Sequence, residues 1–543
     1  MLRLKIAGQY VDLPNDFSFT MNMKSPIFNE VGSYSYPYRI PASPRNTIIL
    51  DFSHRVEGTA DPYKDRPSVF EWKGLTLFSG TSRLKSMSSK GYEGAVLDGS
   101  GDFNYQIKNN WLQQYNFGEQ VFASEAEAMT WINACRDKVY PERPCAFPEI
   151  YNDNYFEDGE SAPEMLSYNF YSRLNNNINQ LSQTGLRTPI VPMLYFRYVL
   201  EKLFEGMGYT MDDSFFSTYP SFNKLVMYNS VSCNNIEEGL FPYWITHLYY
   251  NYHVPRIKLS EFFTGIENFF NVRFIPNQTT RTIRIVPLKN VLENGVYTDF
   301  SKNVISVSTE VEDQIKGFKL KMELDGDDSA FDRQNEFEEQ FVQSFKGAVD
   351  RLTELPPWPN ADPLEIRYVI ETGKYYKMLN KSWIQLDSGT FNLYTIYLYG
   401  DFSQDLTTKF STLIMGGPTP STCWCQNKQI NYTEIAPRIF FTQYGYFGDQ
   451  LYLRGYNYDA DFGSLFYKGD TGLFEKHFLP WLSWKMSTKM VKIQRQMTFH
   501  ELVSFDFEKK IMVRGIKMLV KSLQVTIKKD RIMPATLECY TCD

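Results

Sequence analysis

The sequence predicts a β-rich α+β protein of several domains. Of its 543 residues, 16% are aromatic and only 22% are charged, a balance typical of proteins whose side chains pack on pleated sheets. Apolar and polar residues alternate in many short runs, whereas helical spacing is confined to a few segments. A chain of this length exceeds one hydrophobic core, so we expect roughly three to five domains.

The clearest pattern lies between Lys258 and Pro287. Apolar residues recur at helical spacing in its first half, with Ser260 as the expected N-cap. These residues are Leu259, Phe262, Phe263, Ile266, Phe269 and Phe270. After Asn271 the period changes to two, and a polar run separates two strand-like segments. We therefore predict a helix followed by a hairpin, with the helix lying across a small sheet.

Two other helices have recognisable end signals. A capping-box pattern begins at Ser124 and precedes an apolar periodic run. Pro192 is predicted to open a strongly amphipathic helix, because proline fits the first helical position. Gly206 and Gly208 would end that helix, since glycine adopts the left-handed conformation that follows many helices.

Strand patterns occupy both ends of the chain. Leu2, Leu4 and Ile6 alternate with polar residues, and the segment from Val491 to Tyr540 contains several hairpin-like strands. The patterns divide the chain into six parts. These are an N-terminal β-domain with one helix (1–150), a polar linker or arm (151–189), an α+β lobe with two amphipathic helices and a hairpin (190–290), a second β-domain (291–400), an irregular aromatic lobe (401–486) and C-terminal strands (487–543).

The charge balance and the N-terminus limit the possible classes of protein. There are 56 Lys and Arg residues against 63 Asp and Glu, a net charge of −7, which argues against a protein that binds nucleic acid by neutralising phosphates. The first ten residues alternate like a strand and lack the apolar core of a signal peptide. No run approaches the roughly 18 apolar residues of a membrane span. We expect a chain made and kept in a cytoplasm, with no integral membrane segment and with its seven cysteines reduced.

Candidate metal sites fit their chemistry poorly. The acidic run at 325–336 has carboxylates at calcium-loop spacing, but an alanine occupies the position of the sharp-turn glycine. The pairs Cys423 and Cys425, and Cys539 and Cys542, could in principle supply four zinc thiolates, yet the first pair is separated by only one residue. We therefore predict no metal and no cofactor.

Catalytic motifs are weak as well. Glu310 and Glu312 could form the carboxylate pair of a glycoside hydrolase, but strand alternation places both on one face, which favours a solvated strand edge. The five histidines are dispersed, and no zinc-protease, nucleophile-elbow or phosphate-loop motif occurs. We predict a protein that is not an enzyme and has no catalytic residue.

Four stretches carry a family resemblance. They are residues 14–46 (PNDFSFTMNMKSPIFNEVGSYSYPYRIPASPRN), 191–211 (VPMLYFRYVLEKLFEGMGYTM), 258–275 (KLSEFFTGIENFFNVRFI) and 519–542 (LVKSLQVTIKKDRIMPATLECYTC). Their sequences resemble those of the tail-tip and baseplate-hub proteins encoded by phages and prophages of the Bacteroidetes.

The resemblance implies a fold and a function. It implies tube-forming β-barrel or sandwich domains with attached α/β lobes, assembled as a homotrimeric ring. The ring would join the tail tube or distal tail proteins to the central spike or needle. DNA would pass through it during ejection without sequence-specific binding. The chain would be assembled in the bacterial host cytoplasm and would end up in the virion tail.

Tyr34, Tyr36 and Tyr38 alternate in one strand-like run. Our hypothesis is that they lie at a subunit contact of the ring; the alternative is that they are ordinary sheet aromatics. Two other functions stay open. One is a virion-borne glycan-binding (receptor-binding) protein, because Trp and Tyr stack on sugars. The other is a tail-associated hydrolase.

Overall fold

The computed structural model describes most of the chain between residues 2 and 542. The described residues are 2–28, 35–53, 64–97, 103, 106–151, 167–171, 177–178, 189–234, 246–277, 280–310, 318–321, 346–349, 365–369, 374–379, 382–386, 395–397, 404–406, 408–412, 424–425, 437–447, 450–467 and 471–542. The acidic run at 325–336, Glu312, Tyr34 and Cys423 lie outside them.

Strands are the main elements of the described residues. The first part of the chain contains β1 Leu2–Ile6, β2 Gln9–Tyr10, β3 Ser18–Lys24, β4 Ser35–Pro41, β5 Arg66–Trp72, β6 Leu75–Ser88, β7 Gly91–Leu97, β8 Glu119–Val121, β9 Cys145–Ala146, β10 Ile150–Tyr151, β11 Ser167–Tyr168, β12 Met193–Leu194, β13 Thr210–Met211, β14 Leu225–Met227, β15 Val231–Ser232, β16 His247–Tyr249, β17 Val272–Asn277 and β18 Thr282–Pro287.

The second part continues the same pattern. It contains β19 Tyr297–Asp299, β20 Val304–Glu310, β21 Phe318–Lys321, β22 Lys346–Val349, β23 Glu365–Val369, β24 Lys374–Leu379, β25 Ser382–Leu386, β26 Thr395–Tyr397, β27 Gln404–Asp405, β28 Trp424–Cys425, β29 Ile439–Phe447, β30 Gln450–Tyr456, β31 Tyr458–Asp459, β32 Gly463–Ser464, β33 Met490–Arg495, β34 Lys510–Val513, β35 Ile516–Lys528 and β36 Ala535–Thr541.

Helices are short and fewer among the described residues. They are α1 Pro44–Ile49, α2 Glu125–Ala134, α3 Phe196–Gly206, α4 Ser214–Thr218, α5 Leu259–Phe270, α6 Leu288–Glu293, α7 Leu479–Ser487 and α8 Phe499–Val503, together with the π-helical turn Phe474–Phe478 and the 3₁₀ turns Leu112–Gln114, Pro220–Lys224 and Tyr250–His253. The prediction of a β-rich α+β fold is therefore confirmed.

The chain folds into two compact units, each made of segments that are distant in sequence. The first unit contains Met1–Lys108, Arg273–Gln314 and Ser487–Asp543, and the second contains Asn109–Val272 and Ile315–Met486. The helix α5 and most of the hairpin that follows it belong to different units. The predicted packing of that helix across the hairpin, and the six-part division of the chain, stay predictions.

The first unit contains two large sheets, in addition to the paired strands β17 and β18. One has six antiparallel strands in the order β2-β1-β5-β6-β7-β4. The other has the order β19-β34-β35-β36-β33-β20, and β3 also pairs with β35, beside β34. All pairs in this second sheet are antiparallel except that between β19 and β34. The alternation predicted for the first residues is confirmed, because Leu2, Leu4 and Ile6 are buried while their neighbours are not.

One core joins these two sheets. Phe19 of the seven-stranded sheet stacks on Phe70 of the six-stranded sheet, with ring centroids 3.9 Å apart. Around them lie apolar side chains from all three segments of the unit, including Leu4, Phe300 and Leu523. Burying each such side chain stabilises the fold by roughly 1.5–3 kcal/mol, so the three segments depend on one another for their stability.

The second unit is built around aromatic side chains. Phe222 contacts Phe270 of α5 and Phe462, with ring centroids 5.0 and 5.2 Å apart. Phe204 of α3 stacks on Phe263 of α5 at 5.9 Å. The apolar face predicted for α5 is buried. The unit also contains the antiparallel sheet β14-β29-β30 and a mixed seven-stranded sheet in the order β25-β24-β23-β22-β26-β21-β27.

Two predicted helix starts are wrong. The N-cap of α5 is Lys258, not Ser260, and the Leu259 amide donates to the Asn110 carbonyl at 3.0 Å, so a tertiary bond replaces the side-chain cap. Helix α3 begins at Phe196, not at Pro192, because the residues after the proline form β12, which pairs with β9. Strand pairing has overridden the local helix-start signal.

The other helix signals are confirmed. The Ser124 hydroxyl accepts from the Glu127 amide at 3.2 Å and caps α2. The Glu127 carboxylate accepts from the Ala123 amide, one residue before the expected donor. Helix α3 ends at Gly206, and Gly208 has the positive φ of +79° that its glycine signal predicted.

A tyrosine ring fills the space above a glycine in the first unit. Tyr38 of β4 lies beside Gly94 of β7, and its hydroxyl is 2.5 Å from the Ser82 hydroxyl of β6. A Cβ atom at position 94 would lie 2.5 Å from the Tyr38 hydroxyl oxygen and 2.8 Å from the Arg83 carbonyl oxygen. Because backbone cannot move aside cheaply, glycine is required here.

We predict that Gly94→Ala destabilises the protein by about 1–3 kcal/mol, through overpacking against the Tyr38 ring and the Arg83 carbonyl. Gly295→Ala is the matched control, because a Cβ there meets nothing within 4 Å. Urea unfolding followed by tryptophan fluorescence measures both. An unfolding midpoint for Gly94→Ala equal to that of Gly295→Ala would contradict the packing described for Tyr38.

Candidate functional site

Among the described residues, the seven-stranded sheet of the first unit ends at the edge strand β20. β20 pairs with β33 on one side, for example Val307 with Ile493, and on its other side it pairs with no strand among the described residues. Ile305 is 57% exposed and Val307 is 36% exposed. Unpaired backbone groups beside exposed apolar side chains are a template on which another strand can pair.

A β-bulge shapes the start of this strand. The register shifts between Val304 and Ser306, so Ile305 has no partner residue on β33. From Ser306 to Glu310 the pairing is regular for five consecutive residues. The bulge therefore leaves the regular part of β20 as an extended edge, with Ile305 at its beginning.

A buried arginine holds the loop that leads into β20. Arg495 donates from Nε to the Lys302 carbonyl at 2.8 Å and from Nη2 to the Glu501 carboxylate at 2.6 Å. Its guanidinium lies 4.2 Å from the centroid of the Phe300 ring. Asn303, with a φ of +61°, turns the chain, and its carbonyl accepts from the Gln496 amide at 3.0 Å. The position of β20 thus depends on one side chain of the neighbouring strand.

Glu501 completes this arrangement and caps α8. Its carboxylate accepts from the Thr498 amide at 2.8 Å, and the Thr498 hydroxyl accepts in turn from the Glu501 amide at 3.3 Å. Burial acts to raise the pKa of Glu501, but the bonds from Arg495 and Thr498 outweigh it and leave that pKa below its usual value. The carboxylate is therefore charged and paired at neutral pH.

One of the two edge strands of the six-stranded sheet differs from β20 in its residues. This strand, β4, contains Pro37 and Pro41, which have no N–H to offer to an incoming strand. Arg39 on the same strand is strongly exposed and forms an ion pair with Glu93 at 2.7 Å. Prolines and charges of this kind prevent edge-to-edge pairing. β20 has no proline, and its one charged residue is Glu310 at its end.

The opposite end of the seven-stranded sheet also exposes apolar side chains. Among the described residues it is formed by β19, whose three residues, including the charged Asp299, are all exposed, with Tyr297 at 45% and Val296 just before the strand at 56%. Ile516, at the start of β35, is 41% exposed. The same sheet therefore presents exposed apolar side chains at both of its ends.

The predicted contact tyrosines are placed only in part. Tyr38 is buried in the core of the first unit. Tyr36 lies in β4 with its backbone opposite Val96. Their role at a subunit contact stays a prediction.

Sequence reasoning missed Ile305 and Val307. Alternation cannot reveal which strand ends a sheet, because that depends on partners far along the chain. The available signal was a strand of small and β-branched residues without proline.

The cysteines considered as zinc ligands are divided between the two units. Cys539 is buried and Cys542 is half-buried in the first unit, and Cys425 belongs to the second. Within the part of the chain that the structure describes, no group of three or more His, Cys, Asp or Glu residues could hold a metal ion. Each helix of that same part is too short or too polar to span a lipid bilayer.

Comparison with known proteins gives structural similarities alone. No protein-family model matches the chain, and no curated protein matches it. Among solved structures, the chain is similar to the 43 kDa tail protein of prophage MuSo2 from Shewanella oneidensis, with a TM-score of 0.32 and 8% identity over 99% of this chain and 97% of that one. It is also similar to the tail protein from Neisseria meningitidis MC58, with a TM-score of 0.29 and 8% identity over 99% and 95%.

We predict that Arg495→Ala destabilises the first unit by about 3 kcal/mol or more, because it removes the bonds to Lys302 and Glu501 and leaves a partly buried carboxylate without its cation. Lys509→Ala, which breaks an exposed ion pair with Asp506, should change stability by less than about 0.5 kcal/mol. Hydrogen exchange adds a local readout. Amides of β20 should exchange faster in Arg495→Ala, and unchanged protection there would show that Arg495 does not hold the strand.

Proposed function

We propose that this chain is a structural protein of a phage tail, the hub of its tip or baseplate. The proposal combines the family resemblance of four stretches with one structural observation that carries it, the open apolar edge of β20. An edge of this kind is a hazard for a protein that works alone and an asset for one that assembles.

The energetics of the edge favour assembly. Burying an exposed isoleucine or valine side chain contributes roughly 1.5–3 kcal/mol, and each backbone hydrogen bond across a new strand pair adds about 1 kcal/mol. A specific interface needs on the order of 1,200–2,000 Å² of buried surface. The β20 edge would therefore form the centre of a larger contact between subunits.

The role that follows is mechanical and not enzymatic. Homotrimeric rings of the first unit would join the tail tube or distal tail proteins to the central spike or needle. They would line the channel through which DNA leaves, without sequence-specific binding. A net charge of −7 suits a wall that lets DNA pass without retaining it. Assembly would take place in the bacterial host cytoplasm, and the finished ring would lie in the virion tail.

A cleft in the first unit favours a second function, glycan binding. It has a volume of about 720 Å³ and lies along β4 and β7. Its lining combines Phe17 with the charged residues Asp16, Arg39, Lys85 and Glu93. An aromatic surface beside hydrogen-bonding groups is the chemistry that sugar recognition uses. A glycan array probed with the purified chain separates this function from a purely structural one.

We predict that Ile305→Lys prevents oligomer formation by the purified chain, because it places a charge at the apolar edge of β20. Ile48→Lys is the matched control, since Ile48 is 60% exposed but lies on helix α1 and not in a strand. Mass photometry measures the oligomer. Electron microscopy of phage tails carrying either variant measures incorporation.

The assembly role would be contradicted in two ways. One is a wild-type chain that is monomeric at all concentrations and absent from tails. The other is an Ile305→Lys variant that assembles as well as Ile48→Lys.

We further predict that alanine at Tyr34, Tyr36 and Tyr38 together weakens ring assembly, as the subunit-contact hypothesis requires. Because Tyr38 is buried and its hydroxyl contacts Ser82, the triple variant needs a stability control. Tyr38→Ala alone supplies that control, since it removes the same core contacts. If the triple variant assembled as the wild type does, or only as poorly as Tyr38→Ala alone, the contact role of these tyrosines would be abandoned.

A further inference from the structure

The two ends of the seven-stranded sheet run in the same direction. The pairs β20–β33, β33–β36, β36–β35 and β35–β34 are antiparallel, and the pair β34–β19 is parallel. Four reversals followed by one parallel step bring the direction back to that of the first strand. β20 and β19 are therefore parallel edges at opposite ends of one sheet.

We propose that β20 of one copy pairs with β19 of the next copy, as parallel strands, so that the sheet continues from subunit to subunit. The inference rests on the proposed assembly function and names its partner, a second copy of this chain. When copies are related by rotation about an axis roughly along the strands, neighbouring edges keep their direction. β20 and the partner's β19 then meet in parallel, as a heterologous contact that can close into a ring.

The distribution of exposed apolar side chains favours this pairing over a two-fold contact. If β20 paired with a second β20, the strands would be antiparallel, and the β19 end would stay in water with Val296, Tyr297 and Ile516 exposed. A heterologous contact covers both ends at once, with Ile305 and Val307 of one copy against the apolar end of the next.

The two strands are also chemically suited to pair. Neither contains a proline, so each residue whose backbone faces away from the existing partner strand has an N–H to offer. β19 is three residues long and β20 is seven, which fits a short ladder of backbone hydrogen bonds. Lys517 lies with Nζ 5.0 Å from the centroid of the Tyr297 ring and covers part of that ring.

Cysteine cross-linking tests the pairing in the full chain. Ser308 of β20 and Thr298 of β19 are both exposed and lie in the two edges. The double variant Ser308→Cys/Thr298→Cys is treated with a short bis-maleimide. The length of this reagent allows a cross-link even when β20 and the partner's β19 are shifted by one residue in either direction. We expect a covalent ladder that ends at the size of the ring, and no more than background from either single variant or from the parent chain. All variants are made in a Cys542→Ser chain, because the thiol of Cys542 is only half-buried and could react with the maleimide itself.

Co-expression of the two single variants sharpens the test. A copy with Ser308→Cys can link only to a copy with Thr298→Cys, so the products should stop at dimers. Dimers from Ser308→Cys alone would overturn the proposal in favour of two-fold pairing of β20. An oligomer that yields no cross-link in any variant would also overturn it, while leaving assembly itself intact. A chain that mass photometry finds only as monomer would instead reject the proposed function.

Discussion

The packing of two sheets on one shared core is the constraint on which the first unit depends. The stacked pair Phe19 and Phe70 joins the sheets, and the surrounding side chains come from the beginning, the middle and the end of the chain. No one of these segments can bury its apolar face alone. The unit therefore forms only when segments separated by hundreds of residues come together, and this long-range closure decides which strands end each sheet.

The edge strands β4 and β20 differ in how well they are protected against pairing with another strand. Prolines and an exposed arginine make β4 a poor template for a new strand. β20 carries β-branched and hydroxyl residues and keeps its edge accessible. If every edge strand of this fold needed protection, both β4 and β20 would contain prolines or exposed charges within the strand. The difference indicates that the open edge serves a purpose that outweighs the risk of unspecific association.

The open edge is not loosely attached. Arg495 contacts the Phe300 ring, the loop carbonyl of Lys302 and the carboxylate of Glu501, and it does so from within the adjacent strand. Such a charge is tolerated in a buried position because the hydrogen bonds from Nε and Nη2 and the ion pair with Glu501 offset part of the lost hydration. Pre-ordering of β20 lowers the entropy that a contact with another strand would have to overcome. Folding of the core therefore positions Arg495, Arg495 orders β20, and the ordered β20 is the strand available for assembly.

Much of the local structure follows from the sequence. The helical spacing of Phe262, Phe263 and Phe269 predicted the buried face of α5, because a 3.6-residue period has only one apolar side. The end of α3 at Gly206 and the cap at Ser124 were also predictable, because each depends on only a few neighbouring residues.

What only the tertiary structure decided depends on distant partners. The residues after Pro192 became a strand because β9, almost fifty residues earlier, pairs with them. Tyr38 is buried because Gly94 leaves room for its ring. Ile305 is exposed because, among the described residues, β20 has a partner strand on one side only, and that partner lies nearly 190 residues further along the chain. Periodicity defines the two faces of a strand, whereas its edges are defined by which other strands fold beside it.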